Sequence, residues 1–498
     1  MHSDRQGNSL TGASAEAADA FDAAVECFNL YRGDPVGTID KAISNAPGFV
    51  MAHVLKAWFF ALATEPATAA EASRIVAHAR TLHPDDRAAS HLNAIAHVLA
   101  GNWSKAAIAL DFHSMTWPHD IVAVQAGHLI DFFRANARDL RDRIARTLPR
   151  WSEDRPGYSV LLGMHAFGLE EAGDYAAAEA KGREALDRQP LDGWAHHAVA
   201  HVMEMQGRPE DGLGWMETRE PHWAGDSAYF QVHNWWHKAL YHLELTQVED
   251  ALALYDDRVR ALGGNLSVNL VDASALLWRI RLEGHDTGDR WVSLAEAWSP
   301  LADGRLYPFN DLHAAMAFLA AGRRGDAERI VTAYRADQRD SEVASWCRQT
   351  GLPLIEGFVA FHDGDYEAAM RKLHGVRFIA NSFGGSHAQR DVIDWTLVEA
   401  AIRSGNCSSS SSLATSRSQP FSPTQFSRDG SSFIASGRSP TTGTTTTRTR
   451  ARAPARPRRA ETDSSGRASR AATTATTTRR TPVTNVGRPA GLTGRSSR

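Results

Sequence analysis

The stretch that decides the fold contains two successive amphipathic segments. The first is WAHHAVAHVMEMQG, Trp194–Gly207, and the second is QVHNWWHKALYHLELTQVEDALALYD, Gln231–Asp256. Each repeats its apolar residues at helical spacing, so each predicts an amphipathic helix. The first carries His197 and His201, and the second carries His233 and His237 at the same spacing of four. Because side chains four apart project from one face of a helix, we expect neighbouring helices that each present an imidazole pair.

The same periodicity extends over residues 15–405, and no segment alternates β-branched residues, so the sequence predicts an all-α fold. The clearest internal repeat is AFGLEEAGDYAAAEAKGREALDRQP, Ala166–Pro190, with Gly173 at its turn and Ala178 and Ala185 where two helices approach. This spacing resembles the tetratricopeptide repeat, and weaker copies recur. We therefore expect a tetratricopeptide-like α-α superhelix, a helical-repeat solenoid of roughly ten helix pairs.

A ladder of histidines accompanies the repeats. Five fall on consecutive first helices at intervals of 36 or 37 residues, and a sixth lies two repeats further on: His91, His128, His165, His201, His237 and His313. In solenoids of this kind we expect the first helices to line the concave surface on which partners bind. The ladder therefore predicts that these imidazoles share one inner wall.

Composition and charge divide the chain near residue 405. Residues 406–498 carry sixteen arginines, no lysine and three acidic side chains, a net charge of +13, whereas residues 1–405 carry 38 basic and 55 acidic side chains, a net −17. The Arg/Ser/Thr/Pro-rich tail cannot bury enough apolar surface to fold, and residues 1–14 are polar, so both ends are predicted to be disordered. The tail is either a basic arm that binds nucleic acid or the product of a shifted reading frame. The acidic body argues against nucleic-acid binding by the body itself.

Known motifs restrict the function only by exclusion. The three cysteines lie far apart, and no stretch is typical of a signal peptide or a membrane span, which predicts a cytoplasmic protein without membrane attachment. The sequence has no P-loop, dinucleotide fingerprint or G-x-S-x-G motif in a suitable context.

A second candidate site lies at the start of the last helix, where Ser386 and Gln389 predict a capping box. Its exposed amides, with His387 and Arg390 one turn away, could hold an anion.

Three segments carry a resemblance to a known family: HAVAHVMEM (His197–Met205), HNWWHKALYHLE (His233–Glu244) and GGSHAQRDV (Gly384–Val392). They resemble signature segments of the tetratricopeptide repeat protein 38 family, and the similarity extends over about residues 16–405. The resemblance implies a right-handed helical-repeat fold without an assigned activity, so it implies no catalytic residue. The family would carry another helical pair where this chain has its tail.

The four histidines of the two segments have three interpretations. In the first, they bridge packed helices through hydrogen bonds to one another, to Glu204 or Glu244 and to backbone carbonyls, because buried polar groups need partners. In the second, they line a groove for a small polar ligand or an acidic peptide end, with apolar walls from Trp194, Trp235 and Trp236.

The third interpretation is a metal site. Paired imidazoles on adjacent helices could bind an ion such as zinc, with Glu204 as a further ligand or base. The pattern is not H-E-x-x-H, so a metalloprotease is not indicated.

The sequence thus predicts a scaffold whose histidine-rich concave face binds a small polar ligand or a partner peptide segment. The alternative is a metal-assisted hydrolase, or another enzyme, that uses the same histidines. The residues expected to contact the ligand are His165, His197, His201, Glu204, His233, Trp236, His237, Ser386, His387 and Arg390. No cofactor is expected, unless His197, His201, His233 and His237 hold zinc. Nucleic acid is expected as a partner only if the basic tail is genuine.

Overall fold

The computed structural model describes residues 2–405 apart from residue 226. The helices of the first half are α1 (Ala15–Leu30), α2 (Pro35–Asn45), α3 (Val50–Ala61), α4 (Pro66–Thr81), α5 (Asp86–Leu99), α6 (Trp103–Thr116), α7 (Ile121–Phe133), α8 (Ala137–Thr147), α9 (Tyr158–Glu171), α10 (Tyr175–Arg188), α11 (Gly193–Met205) and α12 (Pro209–Trp223). Those of the second half are α13 (Gln231–Glu244), α14 (Val248–Leu254), α15 (Ala261–Gly263), α16 (Ser267–Leu282), α17 (Arg290–Trp298), α18 (Pro308–Ala320), α19 (Arg324–Ala336), α20 (Glu342–Trp346), α21 (Leu352–His362), α22 (Tyr366–Arg377) and α23 (His387–Arg403). Short 3-10 turns follow α8 and α22, and π-helical segments join α14 to α15 (Tyr255–Arg260) and α20 to α21 (Cys347–Gly351).

These helices pack as successive hairpins. The pairs are α1/α2, α3/α4, α5/α6, α7/α8, α9/α10, α11/α12, α13 with α14–α15, α16/α17, α18/α19 and α20–α21 with α22, and α23 follows them. The prediction of an all-α, tetratricopeptide-like helical-repeat fold is therefore confirmed. The predicted disordered tail, residues 406–498, lies outside the described residues.

Each hairpin from the second to the tenth turns at a residue with a left-handed backbone. Six of these are glycines with φ between 63° and 85°, namely Gly101, Gly173, Gly207, Gly284, Gly322 and Gly364. The other three are Thr64, Ala135 and Thr246, with φ between 48° and 61°. A residue in this conformation ends a helix and satisfies its last carbonyls, which is why glycine recurs there.

Small residues set the distance between helices. Ala178 and Ala185, at the predicted contact positions of α10, are fully buried. At Gly168 in α9, a Cβ atom would lie 2.6 Å from the Cα of Arg141 in α8, so these two helices approach as closely as backbones allow. The small residues of the repeat motif thus lie where adjacent helices contact each other.

The early hairpins also contact much later ones. Tyr31, which follows α1, stacks on Trp194 of α11 with ring centroids 5.3 Å apart. Asn310 of α18 donates a hydrogen bond from Nδ2 to the carbonyl oxygen of Thr64, which follows α3, at 3.0 Å. Because turns of the first two hairpins meet helices of the sixth and ninth, several first helices enclose an interior space.

The prediction of disorder at the N-terminus is wrong for residues 2–14. They form a short antiparallel hairpin of β1 (His2–Ser3) and β2 (Ser9–Leu10) before α1 begins. Asp4 in its turn is buried, and its Oδ2 accepts a hydrogen bond from Arg87 of α5 at 3.0 Å. The polar residues that suggested a solvated segment therefore have buried partners far along the chain.

Two further findings bear on the sequence expectations. No helix within residues 2–405 is both long and apolar enough to cross a membrane. Cys27 and Cys347 are free thiols, and the third cysteine lies in the tail that the structure does not describe.

Candidate functional site

First helices of several hairpins, α1, α3, α7, α11, α13, α16 and α18, line a cavity of about 600 Å³ together with the beginnings of α2 and α23. Ten aromatic side chains contribute to its walls: Phe28, Tyr31, Phe59, Phe132, Phe133, Trp194, Tyr229, Phe230, Tyr307 and Phe309. Three apolar lining residues are substantially exposed, Tyr229 at 39%, Leu266 at 54% and Val268 at 46%, and therefore mark the opening. The cavity is thus largely apolar from its opening inward.

Polar groups collect at the inner end of this cavity. His197, Asp272 and Ser386 line it, and each is about 1% exposed. Nδ1 of His233 is hydrogen-bonded to Oδ2 of Asp272 at 2.8 Å. Nε2 of Gln389 donates a hydrogen bond to the other carboxylate oxygen of Asp272 at 3.4 Å. An apolar chamber with a small polar end is a common form of small-molecule site.

Charge in the lining is one-sided. Three carboxylates belong to it, those of Asp34, Glu65 and Asp272, and the described lining residues include no lysine or arginine. The cavity therefore offers an anion no counter-charge beyond its two histidines.

Behind the inner end, four imidazoles from two adjacent helices converge. His197 and His201 of α11 have ring centroids 4.3 Å apart, and His201 lies 4.5 Å from His237 of α13. His233 completes the group, with its Nε2 3.0 Å from Nε2 of His197. One ligand atom from each ring lies within 4.8 Å of every other. Both pairs predicted from the spacing of four are brought together, and they form one cluster.

Three of these rings face a carboxylate through Nδ1. Asp272 faces His233 as described above, Glu204 Oε2 lies 2.7 Å from Nδ1 of His237, and Glu170 Oε2 lies 3.5 Å from Nδ1 of His201. Burial raises the pKa of Glu204 to about 8 and raises that of Glu170 well above its usual value. Burial also lowers the pKa of His201 and His237, so these imidazoles are neutral at physiological pH.

Several atoms of the cluster have no hydrogen-bond partner among the described residues. They are both ring nitrogens of His201, Nε2 of His237, Nδ1 of His197 and both carboxylate oxygens of Glu170. His201, His237 and Glu170 are fully buried. Leaving a buried polar group unpaired costs about 1–3 kcal/mol. The hydrogen-bonding interpretation therefore accounts for His233 but not for His201.

The predicted contact residues divide by position. His197, His233 and Ser386 line the cavity, whereas His201, His237, Glu204 and Trp236 lie among the buried residues behind it, where Trp236 stacks on His233. Of the expected tryptophan walls, Trp194 lines the cavity and Trp235 does not, because its ring packs on Trp223 instead.

The predicted histidine ladder does not form one wall. His201 and His237 meet, but His91 and His128 have separate partners in Asp120 and Trp194. His165 is half-buried and does not line the cavity. Phe167 of the same helix makes the inward contact, with His197 and His201, and a residue two positions away on a helix points to the opposite side. The histidines are spaced almost evenly, whereas the turns between helices are 34 to 42 residues apart. Each histidine therefore lies at a different distance from its turn and on a different face of its helix.

The helix start at Ser386 has the predicted capping box, with reciprocal bonds between Ser386 and Gln389. The place expected for a bound anion is occupied by the chain itself. Glu171 accepts a hydrogen bond from the backbone amide of His387 at 2.8 Å and lies 3.5 Å from the guanidinium of Arg390. His387 and Arg390 therefore hold an internal carboxylate, and of this group only Ser386 and Gln389 reach the cavity.

Sequence reasoning missed Asp272 and Glu170. Each faces one histidine, which lies 39 residues away in sequence from Asp272 and 31 from Glu170. The available signal was a fully buried charge in an apolar helix, as in LVDASALLW of α16. Such a charge implies a partner, although the sequence alone does not say which one.

A second group, His91, His113 and Asp120, also brings potential ligands together. Its polar atoms are already used: Asp120 Oδ2 lies 3.0 Å from His91 Nε2 and 3.1 Å from His113 Nε2, and Trp58 donates to the other nitrogen of His91. Arg87 donates to the same carboxylate oxygen at 2.5 Å. This group is a complete hydrogen-bond network without a free ligand atom among its imidazoles.

Comparison with known proteins gives distant similarity to solved structures. No protein-family model matches the chain. A solved structure of the human IFIT1 dimer with m7Gppp-AAAA is similar at 13% identity, with a TM-score of 0.39, over 82% of this chain and 92% of that chain. An IFIT1 monomeric mutant with Gppp-AAAA gives 12% identity and a TM-score of 0.39 over 81% of this chain and 92% of that one. Similarity at this level carries no argument about ligand or activity.

Proposed function

We propose that the protein is a helical-repeat scaffold that binds one small amphipathic molecule in its cavity. The observation that supports this is a cavity of about 600 Å³ whose aromatic walls lead to His197, His233 and Asp272. The apolar body of the ligand would contact the aromatic side chains, and its polar end would meet the imidazoles and the carboxylate. The enclosing contacts between early and late hairpins favour a small molecule over the alternative of a peptide segment.

When no metal ion is bound to the histidines, the polar end of this ligand is uncharged or cationic. Asp34, Glu65 and Asp272 would repel an anionic end, and the described lining residues supply no lysine or arginine against it. A nucleic acid would need such cations along its phosphates, so the cavity does not favour one. The ring nitrogens of the histidines and the oxygens of the carboxylates can instead form hydrogen bonds with a hydroxyl or an amine of the ligand.

A displacement experiment tests this proposal. The fluorescence of 1-aminoanthracene, a small apolar probe with an uncharged amine, should rise on saturable binding to one site per chain of chelator-treated protein. Dodecylamine and 1-dodecanol should then displace the probe at concentrations at least about tenfold lower than dodecanoate, about 1.4 kcal/mol in binding free energy. Equal displacement by all three would contradict the assignment of charge, and absence of saturable binding would contradict the proposal.

A matched pair of variants locates the site. Val268 lines the opening and is 46% exposed, whereas Val292 of α17 is 53% exposed and lies outside the lining. Val268→Trp should obstruct the opening and weaken probe binding at least about tenfold. Val292→Trp adds the same side chain elsewhere and should bind like the unmodified protein. Equal affinities for the two variants would place the probe outside the cavity.

Two further assignments from the sequence are also proposals. We propose membership of the tetratricopeptide repeat protein 38 family from the three segments quoted above, and a cytoplasmic location. The alternative function, a metal-assisted hydrolase, is our second candidate because four imidazoles adjoin the cavity. A metal-assisted hydrolase requires a bound ion, so this candidate is excluded if the protein binds no transition metal.

A further inference from the structure

We propose that His197, His201, His233 and His237 bind a divalent first-row transition-metal ion just behind the inner end of the cavity. The proposal concerns metal binding alone and does not depend on the cavity ligand. It follows from three observations: the convergence of the rings, the carboxylates behind them, and the ring nitrogens left without partners.

The convergence has the dimensions of a metal site. With metal–nitrogen distances of about 2.0–2.1 Å, two imidazole nitrogens on a tetrahedral ion lie about 3.3 Å apart. The Nε2 atoms of His197 and His233 lie 3.0 Å apart, and all four ligand atoms lie within 4.8 Å of one another. Ring rotations that shorten the longest of these separations by up to about 1.5 Å would therefore complete four-coordination.

The carboxylates lie where they orient ligands. In metal sites, a histidine commonly donates its second ring N–H to a carboxylate, which fixes the ring and frees the other nitrogen for the ion. Asp272 lies 2.8 Å from Nδ1 of His233, and Glu204 lies 2.7 Å from Nδ1 of His237. Glu170 approaches Nδ1 of His201 at 3.5 Å. Three different helices, α16, α11 and α9, thus supply one carboxylate each to three of the four rings.

The unpaired atoms are the independent observation. Nε2 of His237 and both nitrogens of His201 have no hydrogen-bond partner among the described residues, although both side chains are fully buried. A neutral imidazole carries a lone pair on one of its two nitrogens, so each ring can present it to a metal at an unpaired nitrogen, Nε2 in His237 and either nitrogen in His201. An ion among the rings would satisfy both Nε2 atoms at once.

The donor set selects the class of ion. Imidazole nitrogen suits zinc, copper, nickel, cobalt and iron, whereas calcium and magnesium prefer oxygen ligands. The cluster contains no thiolate, since Cys27 and Cys347 lie outside it. Asp272 would offset part of the charge of a divalent ion in this buried setting.

Metal binding can be measured directly on the full chain. The chelator-treated protein should bind one equivalent of Co²⁺ with the visible absorption of a nitrogen-ligated ion, and one equivalent of Zn²⁺ should displace it. Zn²⁺ should also raise the melting temperature, whereas Mg²⁺ should not. Less than about 0.1 equivalent of either transition metal bound per chain would overturn the proposal.

Variants distinguish this site from adventitious binding. His201→Gln and His237→Gln should each lower Co²⁺ affinity by about 100-fold or more. His313→Gln is the control, because His313 is also fully buried with an unpaired Nε2 but lies outside the cluster. One retained equivalent at unchanged affinity in either cluster variant would refute the site. If these variants do not fold, the Co²⁺ spectrum and the Zn²⁺-dependent melting temperature of the unmodified protein still decide the question.

Discussion

Replacing Asp311 by asparagine should change how stability depends on pH. Asp311 of α18 is 2% exposed, and Oδ2 accepts a hydrogen bond from the hydroxyl of Tyr334 at 2.8 Å. Burial and, to a smaller extent, the nearby charge of Asp303 raise the pKa of Asp311 to about 7, although hydrogen bonds from Tyr334 and the Gly304 amide act in the opposite direction. In the unfolded chain the pKa of an aspartate is about 3.9. The folded state therefore holds a proton that the unfolded state releases between these values.

The sign and size of the effect follow from this difference. A carboxyl whose pKa is raised by folding contributes its full stability below about pH 3.9, and that stability is lost as the pH rises through about 7. With these two pKa values the cost to folding of burying the Asp311 carboxyl grows from about 1.5 kcal/mol at pH 5 to about 4 kcal/mol at pH 8. The amide of the Asp311→Asn variant would not titrate. The free energy of unfolding of the unmodified protein, minus that of the variant, should therefore fall by about 2.5 kcal/mol over this range.

Urea denaturation followed by tryptophan fluorescence at pH 5, 6, 7 and 8 measures this difference. Other buried carboxyls titrate in both proteins, so only the difference between them reports on Asp311. Asp250→Asn is the control. Asp250 is exposed, so this variant should show the same dependence of the free energy of unfolding on pH as the unmodified protein. A difference between Asp311→Asn and the unmodified protein that is constant from pH 5 to pH 8 would refute the argument from burial.

Two predictions concern packing and buried charge. Asp120→Asn should lower the free energy of unfolding by about 3–5 kcal/mol in urea denaturation, because it removes the charge that faces buried Arg87. A loss below about 1 kcal/mol would contradict the assignment of this network as a structural one. Gly168→Ala should destabilise by about 1–3 kcal/mol, since its Cβ would meet the Arg141 backbone. Gly214→Ala, in a helix with open space, should stabilise by up to about 1 kcal/mol, and equal melting shifts for the two glycine variants would contradict the packing argument.

The architecture could be predicted from sequence because its determinants are local. A turn residue such as Gly173 and small residues such as Ala178 and Ala185 act within one hairpin, and that hairpin recurs along the chain. The imidazole pairs could be predicted for the same reason, since a spacing of four fixes the relative direction of His197 and His201. Both inferences use only the geometry of a helix.

The cavity could not be predicted, because it depends on contacts between distant hairpins. Its walls join Tyr31 to Trp194, and Phe309 lies against Phe383, pairs separated by many residues in sequence. The histidine ladder failed for a related reason. Turns at unequal intervals rotate each helix face by a different amount, so His165 and His201 point in different directions although their spacing is regular. The spacing of two residues therefore predicts the relative direction of their side chains within one helix, but not across several interhelical turns.

The two histidine clusters of this protein show how a structural network differs from a ligand site. Around Asp120, the imidazoles of His91 and His113 both have partners, and the carboxylate joins them to a guanidinium, so the group accounts for its own burial. Around His201 the same residue types leave nitrogens and carboxylate oxygens unpaired at full burial. Since each unpaired group costs about 1–3 kcal/mol, a cluster with no role beyond stability would do better as apolar residues of similar volume. The cost is explained if an ion takes those nitrogens, and for that reason metal binding is the stronger interpretation of the second cluster.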